Sequence, residues 1–270
     1  MAEIVPRPAA TVTLVRDTPG GLEVLMMQRN FKSVFMPGMQ VFPGGAVDEA
    51  DSSEECASLC VGMDDAEASR ILGIKSGGLA YWVAAIRESF EEAGILLACD
   101  DKGETVTLDD ASRAARFHDY RHRVEKGEHP FSAMLKDEGL RLPLTGMRYF
   151  SHWITPLGAP RRYDTRFFIA VAPESQAPLH DNRETINHAW IRPAHALDGN
   201  KQGTFKMRTP TVHTLGLFAS HDSATSLIEA MGERGGIPVI EPRIAKDGRR
   251  VLPGESGYEE AGTLAGRGSW

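Results

Sequence analysis

Residues 79–95 read LAYWVAAIRESFEEAGI, with apolar and acidic side chains alternating at helical spacing. Leu79, Trp82, Val83, Ile86 and Phe90 fall at i, i+3, i+4, i+7 and i+11, one face of a 3.6-residue period. Gly94 supplies the stop. The spacing therefore predicts an amphipathic helix over 79–93. Opposite the apolar face, Glu88, Glu91 and Glu92 stack as i, i+3 and i+4 neighbours. Three carboxylates so placed repel one another by about 0.2–0.5 kcal/mol per pair on an exposed helix. A hard divalent cation with oxygen ligands, Mg2+ or Mn2+, would convert that repulsion into coordination. The competing reading of E-x-x-E-E alone is a solvated acidic face.

Upstream, residues 10–16 (ATVTLVR) alternate and are β-branched, Thr18-Pro19-Gly20-Gly21 is a turn, and residues 22–28 (LEVLMMQ) form a second strand. An opening hairpin is expected. Val41-Phe42-Pro43-Gly44-Gly45 is a rigid loop that presents backbone rather than side chains. One or two short helices are expected over 52–78. Downstream, Thr107-Leu108-Asp109-Asp110 resembles a capping box that starts a helix running to about Lys126, with a short helix near 131–138. Strands are expected at 149–155, 166–172 and 188–191, helices at 193–197 and 210–231, and a hairpin about Asp247-Gly248 before a mobile glycine-rich tail. Strands and helices mix without a βαβ rhythm, which favours an α/β or α+β sandwich over a doubly wound nucleotide fold. The division expected is one domain over 1–235, with insertions at about 52–78 and 99–146, followed by a C-terminal hairpin and tail over 236–270.

The whole chain of 270 residues is 41% apolar and 25% charged, an ordinary globular composition that excludes collagen, coiled coil and wholesale disorder. No window reaches the roughly 18 apolar residues of a membrane span, and the start carries no signal h-region. Three cysteines are too few for a disulfide framework, so a cytoplasmic, reducing setting is expected. The net charge of −7 has the wrong sign for binding nucleic acid through its phosphates. A polyanionic small molecule would need help from a metal cation.

The string Arg87-Glu88-Ser89-Phe90-Glu91-Glu92-Ala93-Gly94-Ile95 resembles the second half of the Nudix box, G-x5-E-x7-R-E-U-x-E-E-x-G-U, where U is apolar. Ser89 departs at the first U. Counting five residues on from Gly45 places Asp51 where that family has Glu, and 35 residues then separate Asp51 from Arg87 where the family has 7, an insertion of 28. Such a split box is similar to that of the mammalian peroxisomal coenzyme A diphosphatases and their bacterial relatives. The phrases FMPGMQVFPGG, AAIRESFEEAGILL, WITP and DTRFFIA also resemble that subfamily. The resemblance implies a Nudix fold, a mixed sheet between helices, and metal-dependent hydrolysis of a diphosphate. It implies that Glu88, Glu91 and Glu92 bind the metal, that a carbonyl of Gly44 or Gly45 joins them, and that Arg87 pairs with a box carboxylate. A loop carboxylate, Glu184, is the candidate for a fourth ligand.

The coenzyme A signature of such enzymes, L-L-T-x-R-[ST]-x3-R-x3-G-x3-F-P-G-G, finds Leu25, Arg29, Gly38 and Phe42-Pro43-Gly44-Gly45 in register. Val34 stands where its second Arg belongs, and Met27 and Asn30 also depart. Arg29, Gly38 and Phe42 are therefore the substrate-binding candidates, with Arg166 as a cation from elsewhere in the chain. The missing Arg predicts weak discrimination between coenzyme A and its 3′-dephospho form. The two insertions are expected to cover the site and read the rest of the substrate. Hydrolysis of ADP-ribose, NADH or a nucleotide sugar is the second enzymatic reading, and a non-catalytic ligand-binding module is the rival from another class; the intact Glu88, Glu91 and Glu92 favour catalysis. The partner is thus a small diphosphate, with no nucleic acid and no membrane, and a homodimer is allowed. His118 and His122 share a helix face but lack a third zinc ligand.

Overall fold

The computed structural model describes residues 4–32, 36–179, 185–245 and 247–261. Strands β1 (Arg7–Thr18) and β2 (Gly21–Arg29) form the opening antiparallel hairpin. Short strands β3 (Gln40–Val41) and β4 (Gly44–Ala46) come next, β3 beside β2 and β4 returning to β1. A 3-10 turn over Glu49–Ser52, then α1 (Glu54–Leu59), β5 (Cys60–Val61) and α2 (Asp65–Leu72), leads to α3 (Leu79–Ala93), capped by the left-handed Gly94. Beyond it lie α4 (Ala111–Glu125), α5 (Phe131–Asp137) and β6 (Leu142–Pro143). Strands β7 (Arg148–Ile154), β8 (Tyr163–Val171) and β9 (Thr185–Ile191) precede helices α6 (Pro193–Lys201), α7 (Thr209–Phe218) and α8 (Ala224–Gly232). The described chain closes with β10 (Val239–Ile240) and the hairpin of β11 (Arg243–Ile244) and β12 (Arg250–Val251).

The main sheet is mixed and runs β10-β7-β8-β1-β2-β3, with β4 on β1 and β9 on β2. β1 lies parallel to β8 and β10 parallel to β7, while its other pairs are antiparallel. Helices cover both faces. Ala10, Val12, Leu14, Leu25, Met27 and Phe168 pack with α3 on one side. Val15, Val24, Met26, Phe167 and Ile169 pack with α7 and α8 on the other. This two-sided burial explains the apolar runs VLMM and FFIA, since a sheet covered on both faces has no solvated register to keep polar. The alternation read in 10–16 therefore overstates the contrast: Thr13 is fully buried, and its hydroxyl has no hydrogen-bond partner among the described residues. Among the described residues no helix is long and apolar enough to cross a membrane.

Two local expectations are corrected. The helix expected over 210–231 is two helices, because Ser223 caps a new start by accepting the Ser226 amide and Asp17 takes the Ala224 amide at 2.8 Å. The N-cap of α4 is Asp110, which accepts the Arg113 amide at 2.8 Å, rather than Thr107. The tail 262–270 lies outside the described residues.

The apolar face of α3 is buried as its periodicity requires: Trp82, Val83, Ile86 and Phe90 are all 1% exposed or less, and the Trp82 ring stands 4.6 Å from Phe168 on β8. Ile86→Ala, in the centre of that contact, is expected to cost about 2–5 kcal/mol through lost burial and a residual cavity. Chemical denaturation of the two proteins in parallel would measure it, and a loss below about 1 kcal/mol would contradict this packing.

Candidate active site

The acidic face of α3 is not a solvated face. The side chains of Glu88 and Glu91 are 13% and 15% exposed, and Glu92 as a residue is 7% exposed. What holds them is Arg87. Its Nε donates to Asp51 Oδ1 at 2.8 Å and its Nη2 to Asp51 Oδ2 at 2.9 Å, a bidentate pair buried from solvent. Nη2 also reaches the Ala46 carbonyl at 3.0 Å, while Nη1 donates to Glu88 Oε1 at 2.9 Å and Glu91 Oε1 at 3.2 Å. All five guanidinium N–H groups are thereby used. The 28 extra residues therefore leave the two parts of the split motif in direct contact.

The electrostatics arise from this crowding. Burial pushes the Glu88 carboxyl up, Arg87 opposes it and Glu91 adds to it, so that its pKa stands at about 7. Burial likewise raises Glu91 against the pull of Arg87. Burial alone would depress Arg87, but its hydrogen bonds to Asp51 and the charges of Glu88, Asp51 and Glu91 hold it above the ordinary arginine value. Glu92 is oriented by the backbone, its Oε2 accepting the Gly44 amide at 3.0 Å. Gly45 abuts Glu88 so closely that a Cβ there would collide with its carboxylate. The glycines thus let a strand of backbone run against the acidic helix, which no other residue type would permit.

Both insertions support this helix. Asp65, at the start of α2, accepts the Leu79 amide at 3.0 Å and the Gly77 amide at 2.9 Å, capping α3 where its own N-cap, Gly78, has no side chain to do so. At the other end Arg121 of α4, 2% exposed, donates Nε to the Glu91 carbonyl and Nη2 to the Glu92 carbonyl, both at 2.8 Å. That is a cation on the last turn, where the helix dipole favours one. Sequence reasoning missed Arg121; it is one of four arginines on a charged helix, and no local pattern marks it out.

A cavity of about 400 Å3 opens on the opposite face of the sheet, with Gly44 and Gly45 in its wall. Phe42, Trp153 and Phe167 give it apolar walls, and Arg29, Arg161, Arg208 and Arg250 give it charge. Its size suits a small-molecule ligand. None of its described lining residues belongs to 52–78 or 99–146. Of the four substrate-binding candidates, Arg29 and Phe42 line the cavity. Gly38 does not: it turns the chain at φ +68°, packed against the Phe31 ring. Arg166 does not either. Strand alternation sends Thr165 and Phe167 into the cavity and Arg166 to the other face, 4% exposed, beside His152 and Asp164 and under the Tyr81 ring. Glu184 lies outside the described residues. Arg208 and Arg250 were not singled out from sequence; each reads locally as a polar residue at a helix start or a hairpin.

The donor set fits a hard divalent cation: the carboxylates are buried, more numerous than the one guanidinium among them, and supply oxygen alone. Among the described residues no three acidic, His or Cys side chains gather about one point, because Arg87 stands on Glu88 and Glu91. Oε2 of each of those two carboxylates takes no hydrogen bond among the described residues and remains available. His118 and His122 lie 4.5 Å apart, ring to ring, and join no such group.

Residues 74–217 match the family model of the NUDT19 Nudix domain. The chain is 28% identical to acyl-coenzyme A diphosphatase NUDT19 of Xenopus laevis over 90% of its own length and 73% of that protein's. It is 26% identical to the protein of the same name from Homo sapiens, over 94% and 77%. Among solved structures it superimposes on a NUDIX hydrolase from Alicyclobacillus acidocaldarius with a TM-score of 0.72 and 27% identity, covering 87% of this chain and all of that one.

The ion pairs lead to two expected outcomes. Asp51→Ala leaves Arg87 buried with two donors unpaired and is expected to cost about 3–5 kcal/mol, measured by urea unfolding; an unchanged midpoint would refute the role given to this pair. The raised Glu88 carboxyl has a definite sign. Its penalty is absent below its ordinary value of 4.5 and grows as pH rises through about 7, so metal-free protein should lose stability over that window. Glu88→Gln should flatten the loss and stabilise the metal-free protein at pH 8, as read from melting curves in chelator.

Proposed function

The chain belongs to the NUDT19 Nudix domain family, and on that footing we propose that it is a Nudix hydrolase that cleaves the diphosphate of coenzyme A or acyl-coenzyme A, giving phosphopantetheine or its acyl form and adenosine 3′,5′-bisphosphate. The observation that carries this reading is a largely buried set of three glutamates, two of which, Glu88 and Glu92, touch the Gly44–Gly45 backbone, which also walls a cavity of ligand size. The curated relatives named as acyl-coenzyme A diphosphatases supply the substrate class.

Nudix hydrolases need a divalent metal, and Glu88, Glu91 and Glu92, with a carbonyl of Gly44 or Gly45, are the residues that would hold Mg2+ or Mn2+ here. Bound there, the ion supplies charge neutralisation on the diphosphate and Lewis acidity toward water. The protein's own groups do the rest. Arg87 fixes Glu88 and Glu91, and the Gly44 amide fixes Glu92, so the carboxylates need no reorganisation when substrate arrives. A carboxylate of this set accepts the proton of the attacking water. The water oxygen bonds to one phosphorus, the bridging P–O bond breaks, and the other phosphate leaves with the bridging oxygen. The cavity holds the remainder of the substrate on the far side of the glycine strand, with Arg29 and Phe42 in its wall.

Activity should vanish in EDTA and return with Mg2+ or Mn2+, with products identified by mass. On a panel of diphosphates, coenzyme A compounds should lead. ADP-ribose turned over at least about tenfold faster by kcat/KM, a difference of about 1.4 kcal/mol, would move the assignment to the second enzymatic reading. Tight ligand binding with no turnover in either metal would make the chain a binding module.

A further inference from the structure

The cavity carries more positive charge than a scissile diphosphate beside a metal site requires. Among the described residues that line it there are four arginines and no carboxylate, in a chain whose net charge is −7. Arg161 is exposed and makes no hydrogen bond or ion pair among the described residues. Arg250 donates Nη1 to Thr209 Oγ1 at 2.6 Å, while its buried Nε has no hydrogen-bond partner among the described residues. Arg208 stands close enough to Arg250 that burial and then the charge of its neighbour depress its pKa. Like charges gathered in a partly buried space cost free energy unless an anion joins them. The start of α7 adds to this field: Thr209, Pro210 and Thr211 line the cavity, no side chain caps that end, and a helix N-terminus favours an anion.

We propose that Arg161, Arg208 and Arg250 form a subsite for a phosphate monoester carried by the substrate away from its scissile diphosphate. The inference rests on the coenzyme A reading above, in which that group is the 3′-phosphate of the adenosine half. The apolar walls of Phe42, Trp153 and Phe167 beside the arginines suit a base and sugar that carry such a phosphate. The acidic helix serves the diphosphate from the other side of the Gly44–Gly45 strand. The subsite thereby replaces the arginine that Val34 displaces from the coenzyme A signature, and it reverses the expectation of weak discrimination drawn from that position. Its residues come from the turn before β8, the start of α7 and the C-terminal hairpin, three segments with no common motif.

The test compares coenzyme A with 3′-dephospho-coenzyme A in Mg2+, and adenosine 3′,5′-bisphosphate with AMP by calorimetry in metal-free protein. The unmodified enzyme should prefer the 3′-phosphorylated member of each pair by about tenfold or more. Arg161→Met, at an exposed side chain with no hydrogen bond or ion pair among the described residues, should erase most of that preference, read as the ratio of kcat/KM for the two substrates. Arg250→Met should do the same more strongly, with Thr209→Val as the control for the lost hydrogen bond. Equal kcat/KM for the two substrates in the unmodified enzyme, or variants that weaken both equally, would overturn the subsite and leave the proposed activity standing. Absence of turnover on either would overturn the activity, and the calorimetric comparison would still decide the subsite: retained preference for the bisphosphate supports it, equal binding refutes it.

Discussion

One guanidinium organises this molecule's chemistry. Arg87 is rooted by Asp51 and the Ala46 carbonyl, and with its remaining donors it holds two of the three glutamates of α3. Without it, Asp51, Glu88 and Glu91 would face one another in a site too buried for water to screen, and the pressure on them is visible in the raised Glu88 carboxyl. Arginine suits this place and lysine would not, because a planar fork with five donors can serve a bidentate partner on one edge and single acceptors on the others, whereas an ammonium has three donors about one point. The pair also ties the 3-10 turn at Glu49–Ser52 to α3, so the chain's departure into the first insertion and its return are anchored by the same contact.

That anchor explains how an insertion inside a catalytic motif is tolerated. Extra loop length costs little closure entropy, roughly 0.6 kcal/mol per doubling, provided the ends are held. Here the ends are Asp51 and the start of α3, and the inserted segment adds a contact of its own when Asp65 caps that start. The second insertion closes the other end through Arg121. Both hold a carboxylate-bearing helix in place, one at each end.

The features legible in sequence were those that depend on neighbours within a few residues: the opening hairpin, the bounds of α3 set by its period and Gly94, and the stripe of Glu88, Glu91 and Glu92. Asp51 was legible only by counting against a motif, since 35 residues hide its partner. Arg166 shows the limit of reading charge from a strand. Its neighbours on either side face the cavity, and only the pairing of Trp153 with Thr165 and of Thr11 with Phe167 reveals which parity does so. Gly38 shows a related point: it turns the chain in the left-handed region, so its place in register with a signature has a backbone reason of its own. Arg208 and Arg250 were beyond reach, because their convergence with Arg29 is a property of tertiary folding and neither has a local pattern that distinguishes it from a surface residue.

The two glycines at 44 and 45 reconcile charges that would otherwise be incompatible. A cavity lined by arginines and a helix bearing three glutamates, if joined openly, would neutralise each other by forming ion pairs, and neither would keep charge for a ligand. At Gly44 and Gly45, β4 lies between them as a strip without side chains, its backbone in contact with carboxylates on one side and the cavity on the other. Side chains there would separate the two regions by several ångströms more or push Glu88 aside. Glycine keeps them apart by one thickness of backbone, a separation that a single extended ligand, anionic at two points along its length, can span.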